Sequence, residues 1–229
     1  MKILYIIPAR GGSKGIPHKN IKLLNGKPLI YYTIDVARQL TTDDHICVST
    51  DDDEIIEVVE NYGLKVPFIR PDYLATDTAT TNDVLLHAIN FYESRGDFYD
   101  VVVLLQPTSP LRNSIHVKEA IELYTNDIDM VVSVKESHAS SVLCAENEDG
   151  FLELCFNKSG KRRQDLQSYY EYNGAVYIIN IKRLKEKGLR GFIKKKKYIM
   201  DEFSSIDIDI PIDWIIVESI INWLKYSSQ

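Results

Sequence analysis

The sequence predicts an α/β protein, a three-layer α/β/α domain on a mostly parallel sheet. Two patterns carry this. Short continuous apolar runs recur at residues 3–7, 46–49, 66–69, 101–105, 130–134 and 175–181, and runs of that length without alternation suit strands covered on both faces. Between the early runs lie stretches of helical period at 28–40, 53–62, 82–94 and 115–124; strands alternating with helices form crossover units. Helix signals agree: Asp52 or Asp53 is placed to cap the second helix, Asn82 the third and Asn113 or Ser114 the fourth, and Gly63 sits where the second should stop.

The first strand runs into Pro8-Ala9-Arg10-Gly11-Gly12-Ser13-Lys14-Gly15-Ile16-Pro17-His18-Lys19-Asn20. Glycines let the backbone approach an anion and turn its N–H groups toward it, and Arg10, Lys14 and Lys19 supply charge, so this loop suits a triphosphate. It is not a Walker loop, because Ser13 precedes Lys14, nor a dinucleotide fingerprint, because Gly11 and Gly12 are adjacent. An ordinary strand-to-helix turn with solvated lysines is the bland alternative.

After the third run come Arg70-Pro71 and a hydroxyl-rich turn through Thr80 and Thr81, which suits a base edge or simply caps the following helix. After the central run comes Gln106-Pro107-Thr108-Ser109-Pro110-Leu111-Arg112. It falls at the same carboxyl edge as the glycine-rich loop, where open parallel sheets bind ligands; a purely structural turn is the other reading. Near the end, Asp207 and Asp209 flank Ile208. Carboxylates two apart on an extended segment share a face and suit one divalent cation, or else the solvent side of an edge strand.

The regular alternation fails over residues 138–172, which are polar, charged and aromatic. So long an irregular stretch inside a compact domain is expected to pack on a partner subunit or to shape the pocket. The chain returns through Asn173-Gly174-Ala175 and ends in a helix over 214–224 with Ile215, Ile216, Ile220 and Leu224 on one face. Lys194 to Lys197 are expected on an edge strand or a solvated hairpin.

Composition narrows the class. The 229 residues are 45% hydrophobic, enough for one core, so residues 1–229 are expected to form a single domain with the 138–172 stretch inserted in it. A net charge of -6 argues against a nucleic-acid polymer. No apolar run reaches a membrane span, no charged segment leads into an apolar N-terminal stretch, and Cys47, Cys144 and Cys155 form neither a C-x-x-C pair nor an even set. No membrane association and a cytoplasmic location are expected.

Six segments in order then carry a resemblance: residues 7–15, Ser49-Thr50-Asp51, residues 74–79, residues 105–112, Asn173-Gly174-Ala175-Val176-Tyr177 and Ser205-Ile206-Asp207-Ile208-Asp209. Over nearly its whole length the chain resembles the N-acylneuraminate cytidylyltransferases, or CMP-sialic acid synthetases. The resemblance implies a Rossmann-like fold of the nucleotide-diphospho-sugar transferase type with a protruding dimerisation arm. It further implies that Arg10, Gly11, Gly12, Ser13, Lys14, Lys19 and Asn20 hold the CTP phosphates, with Arg10, Lys19 and Asp209 catalytic. Arg70, Thr80 and Thr81 would take cytosine and ribose, Asp207 and Asp209 would bind Mg²⁺, and Gln106, Arg163, Asn173 and Tyr177 would line the sugar pocket. A homodimer completes each site through the arm at 138–172. The reaction so implied is attack of a nonulosonic acid's anomeric hydroxyl on the α-phosphorus of CTP, releasing pyrophosphate.

One position departs from the pattern. Glu171 stands where sialic-acid enzymes often have a second arginine. Beside a sugar carboxylate this reverses the sign of an interaction worth about 1 kcal/mol in water and up to about 4 kcal/mol near a protein surface. A legionaminate-type acceptor is therefore an alternative. More distant alternatives are a nucleotide-sugar glycosyltransferase, which also uses Asp-x-Asp but usually mid-chain, and a silent nucleotide-binding scaffold.

Overall fold

A computed structural model describes residues 1–137, 143–155 and 168–227. In chain order the elements are β1 (Ile3–Pro8), β2 (Leu23–Leu24), β3 (Lys27–Pro28), α1 (Leu29–Arg38), β4 (Ile46–Ser49), α2 (Asp53–Asn61), α3 (Thr81–Ser94) and β5 (Val101–Leu104). Then follow α4 (Ser114–Glu122), β6 (Met130–Ser137), β7 (Cys144–Glu146), β8 (Leu152–Leu154), β9 (Tyr169–Asn180), α5 (Ile181–Lys187), β10 (Lys195–Ile199) and α6 (Pro211–Ser227).

The central sheet has the order β10-β6-β9-β5-β1-β4. Its pairs are parallel except where β9 lies antiparallel between β5 and β6. Alternate side chains of β1 face opposite ways: Tyr5 and Ile7 pack with Ile30 and Ile34 of α1, Val59 of α2 and Val117 of α4. Leu4 and Ile6 pack with Leu85, Ala88 and Ile89 of α3 and Leu184 of α5. Two apolar clusters on opposite faces make three layers, as the sequence predicts.

A third cluster positions the site. Ile16 of the glycine-rich loop, Leu24, Leu29, Ile208, Trp214 and Val217 are buried together, so burial of Ile208 docks the segment carrying Asp207 and Asp209 against that loop. Each such side chain contributes about 1.5–3 kcal/mol on full burial.

Several expectations are corrected. Residues 66–69 form no strand; Thr50 and Ile69 make an isolated bridge, because Pro67 and Pro71 remove ladder donors on either side. Strand β9 begins at Tyr169 inside the stretch read as irregular, and Lys135 faces Glu171 across its register with β6. Within that stretch β7 and β8 also pair, as an exposed hairpin. Thr80, not Asn82, caps α3 by accepting from Asp83 N, while Asn82 Oδ1 accepts from Leu189 N at 3.0 Å. In α6 the buried residues are Trp214 and Val217, and Ile215 and Ile216 face outward. The lysine run does form the edge strand β10. Asp52 and Asn113 cap α2 and α4, and Gly63 after α2 has φ +78.

The start of β6 is fixed by Asp129, 1% exposed, whose carboxylate accepts from the backbone N–H groups of Ile193 and Lys194 at 2.8 Å each and lies 2.9 Å from Lys187 Nζ. Burial alone would push this carboxyl up, but Lys187 and the two amides outweigh it and hold the pKa at about 2. A carboxyl depressed in the folded state stabilises above its unfolded pKa and loses that contribution as pH falls through the folded value. Asp129→Asn should therefore cost about 2 kcal/mol near neutrality in denaturant unfolding. The gap from wild type should close between about pH 4 and about pH 2; a pH-independent gap would show that the charge is not the cause.

Candidate active site

The carboxyl ends of β1 and β5 open into a cavity of about 590 Å³ lined by Arg10, Ser13, Lys14, Gly15, Lys19, Asn20, Arg70, Thr81, Gln106, Asp207 and Asp209, among others. The glycine-rich loop is braced from within. Asn20, buried, donates from Nδ2 to Arg10 O at 3.0 Å. Lys19 Nζ donates to Ile208 O at 2.6 Å and lies 3.3 Å from Asp209 Oδ1. That lysine ties the loop to the carboxylate segment, and Gly15 permits the approach, since a Cβ there would lie 2.1 Å from Asp209 O. Gly11 N–H donates to Asp51 Oδ1 at 3.3 Å; Gly11 and Gly12 shape the loop without lining the cavity.

Arg70, 3% exposed, donates from Nε to Ser49 Oγ at 3.1 Å and from Nη2 to Ser49 O. Burial lowers its pKa, partly offset by Asp51. Thr81 reaches the cavity wall, whereas Thr80 serves the helix cap and donates to Asp83 Oδ2 at 2.7 Å.

A second cavity of about 590 Å³ adjoins the first and is lined by Lys135, Glu171, Asn173, Gly174, Tyr177 and Glu202, among others. Gln106 and Asp207 line both. The chain is tight at this junction. Gly174 has φ +75, and a Cβ there would lie 2.8 Å from Gln106 Oε1 and 3.8 Å from Asp207 Oδ2. The β6–β9 ladder shifts register between Val132 and Val134. Ser133 Oγ bridges the irregularity by donating to Asn173 Oδ1 at 2.6 Å and accepting from Val176 N at 2.8 Å. Asn173 also donates to Ser205 Oγ at 2.9 Å, so its side-chain amide is engaged within the protein although the residue borders the second cavity. Glu171 lies 3.3 Å from Lys135 Nζ and accepts from Ser137 Oγ.

Asp207 and Asp209 are presented by extended backbone whose Ile208 N–H donates to Thr108 O at 2.8 Å. Burial pushes the Asp207 carboxyl up; the Thr108 hydroxyl pulls it back in part, Asp209 raises it again, and Lys19 and Ser109 lower it. Oxygen donors whose mutual repulsion a cation relieves, on a wall facing a cationic loop, fit a divalent ion completed by phosphate oxygens. Among the described residues no group of three or more His, Cys, Asp or Glu is gathered for a metal. An all-protein cage is therefore not what the pair offers.

The structure thus brings Arg10, Ser13, Lys14, Lys19, Asn20, Arg70, Thr81, Gln106, Asp207 and Asp209 to one cavity, and Tyr177 and Asn173 to its neighbour. Arg163 and most of the arm read at 138–172 lie outside the described residues. Sequence reasoning gave no role to Asp77, whose carboxylate meets Arg10 and Lys14 across the first cavity. Nor did it give one to Arg112, buried under the 106–112 loop. No helix among the described residues is long and apolar enough to cross a membrane.

Comparison with known proteins accords with this geometry. The chain is 42% identical over 224 residues to an N-acylneuraminate cytidylyltransferase of Streptococcus agalactiae, covering 94% of this chain and 52% of that one. The chain thus spans about half the length of this relative. It is 37% identical to the CMP-N,N'-diacetyllegionaminic acid synthase of Legionella pneumophila, covering 96% of each. A solved CMP:2-keto-3-deoxy-manno-octonic acid synthetase, complexed with CTP, superposes with a TM-score of 0.69 at 18% identity, covering 97% of this chain and 99% of that one, which shows a shared fold. The cytidylyltransferase family profile matches residues 4–206, and the chain belongs to that family.

Proposed function

We propose that this protein activates a nonulosonic acid with CTP, giving a CMP-sugar and pyrophosphate. The observation that carries the proposal is the junction: a cationic, glycine-rich cavity and a second polar cavity share Gln106 and Asp207 as a common wall. The first has the charge for a triphosphate. The second has room and hydrogen-bonding groups for an acidic sugar, and a hydroxyl held there faces the α-phosphorus of a nucleotide held in the first.

The chain's residues then have separate tasks. Arg10, Lys14 and Lys19 neutralise the triphosphate and the departing pyrophosphate, and Ser13 and Asn20 hold the loop that presents them. Arg70, Thr80 and Thr81 shape the nucleoside end. Gln106 offers donor and acceptor to the sugar, with Tyr177 and Asn173 beside it in the second cavity. Such catalysis is positioning and electrostatics, because little covalent chemistry falls to the protein in transferring a nucleotidyl group. Asp207 and Asp209 would hold Mg²⁺, which would supply positive charge against the triphosphate.

N-acylneuraminate is the first acceptor reading, as in the streptococcal relative. Glu171, on the second cavity's wall, favours a second, legionaminate-type reading, and the relative from Legionella is named for such a product. Lys135 offsets the charge of Glu171, so the wall is less repulsive to a carboxylate than the sequence alone implies. The family match weighs against the glycosyltransferase alternative. A cytoplasmic homodimer is the proposed working form; the outward-facing Phe151, Leu152 and Leu154 on the β7–β8 hairpin support a subunit contact. Sedimentation at twice the 26.3 kDa chain mass is expected, and a monomer at working concentration would refute it.

The function is tested by pyrophosphate release from CTP, with and without Mg²⁺, against N-acetylneuraminate, N,N'-diacetyllegionaminate, pseudaminate and 3-deoxy-octulosonate. Release with a nine-carbon acid that needs Mg²⁺ is expected; no release with any of the four overturns the proposal. Asp209→Asn should lower turnover about a thousandfold. Retention of more than about a third of the rate would remove the metal assignment.

A further inference from the structure

Asp77 stands in the turn before α3, on the wall of the first cavity facing the glycine-rich loop. Its carboxylate spans the gap: Oδ1 accepts from Arg10 Nη1 at 3.0 Å, and Oδ2 lies 2.6 Å from Lys14 Nζ. One oxygen on each of two loop cations is the arrangement a polyphosphate would adopt with the same pair. Among the described residues neither cation has a second carboxylate partner.

Building on the proposed function, we propose that Asp77 is an internal competitor for the triphosphate site. The β- and γ-phosphates displace it from Arg10 and Lys14, and it returns to both as pyrophosphate leaves.

The local structure allows the exchange. The Asp77 side chain is 53% exposed, and its turn is held by short-range bonds, Ala79 N to Thr76 O at 3.2 Å and Thr76 Oγ1 to Thr78 Oγ1 at 3.1 Å. Swinging it away therefore breaks no core packing. Were Asp77 instead to stay and orient the two cations beneath a bound triphosphate, its carboxylate would lie within a few ångströms of phosphate oxygens of the same sign, which is repulsive. Exchange keeps each cation paired in both states. The consequence is selective: affinity falls for ligands that carry β- and γ-phosphates, pyrophosphate included. A nucleoside monophosphate, lacking those groups, escapes the competition.

The test is calorimetric binding of CTP, pyrophosphate, tripolyphosphate and CMP, each with Mg²⁺, to the wild-type chain and to Asp77→Asn. The variant should bind CTP, pyrophosphate and tripolyphosphate about three- to tenfold more tightly, with CMP unchanged within about twofold. Looser or unchanged binding of the polyphosphates would overturn the inference, as would CMP tightening by the same factor. An unchanged thermal midpoint shows that the variant folds, as the exposure of Asp77 predicts. The two inorganic ligands carry no base and no sugar. Should the wild type bind CTP no more tightly than tripolyphosphate, the proposed function fails, while the inorganic ligands still report whether Asp77 competes.

Discussion

A guanidinium buried without a carboxylate partner among the described residues holds the floor of this site. Arg112 is 2% exposed, and its Nη1 donates to the carbonyls of Gln106 at 3.0 Å and Ala175 at 3.1 Å while Nη2 donates to Thr33 Oγ1 at 2.6 Å. Burial pulls its pKa down to about 9, still above neutrality, so the side chain remains charged. Burying such a charge costs several kcal/mol, offset here by bonds to dipoles. Those bonds join the loop after β5, strand β9 and helix α1 at one point. Gln106, one of the two residues that line both cavities, is thereby fixed through its backbone carbonyl.

Everything else at the junction follows from bringing β9 in antiparallel beside β5. The register shift opposite Ser133 lets the backbone at Gly174 press against Gln106 and Asp207, so one wall serves two cavities. From the other side, the cluster of Ile16, Ile208 and Trp214 and the Lys19 bond to Ile208 O bring the carboxylates to the glycine-rich loop. Apolar burial sets the distance and charge is then placed across it. Geometry fixed by a packed core costs little reorganisation when charge develops in the reaction.

The sheet's layering was legible because doubly covered strands are continuously apolar, and the glycine-rich loop and Asp207-Ile208-Asp209 because their charge has no use in a plain turn. What escaped the sequence was relational. The apolar run at 66–69 hid the effect of Pro67. The outer face of α6 reads like an inner one, since Ile215 and Ile216 are as apolar as Trp214 and Val217. Asp77 lies in a threonine-rich turn, inside the resemblance segment 74–79 but with no local sign of its task, and its meaning comes from cations more than sixty residues earlier in the chain. Arg112 looks like a surface arginine after a proline turn until the carbonyls above it are seen.

The claim at the centre of this account is that two substrates meet at Gln106 and Asp207. The most direct measurement is a crystal structure with an α,β-methylene analogue of CTP and whichever of the four tested acids supports pyrophosphate release. The account predicts phosphates on Arg10, Lys14 and Lys19, the sugar in the second cavity, and its anomeric oxygen aimed at the α-phosphorus beside Asp207. A sugar bound away from that wall, or a nucleotide with its base on the glycine-rich loop, would contradict it.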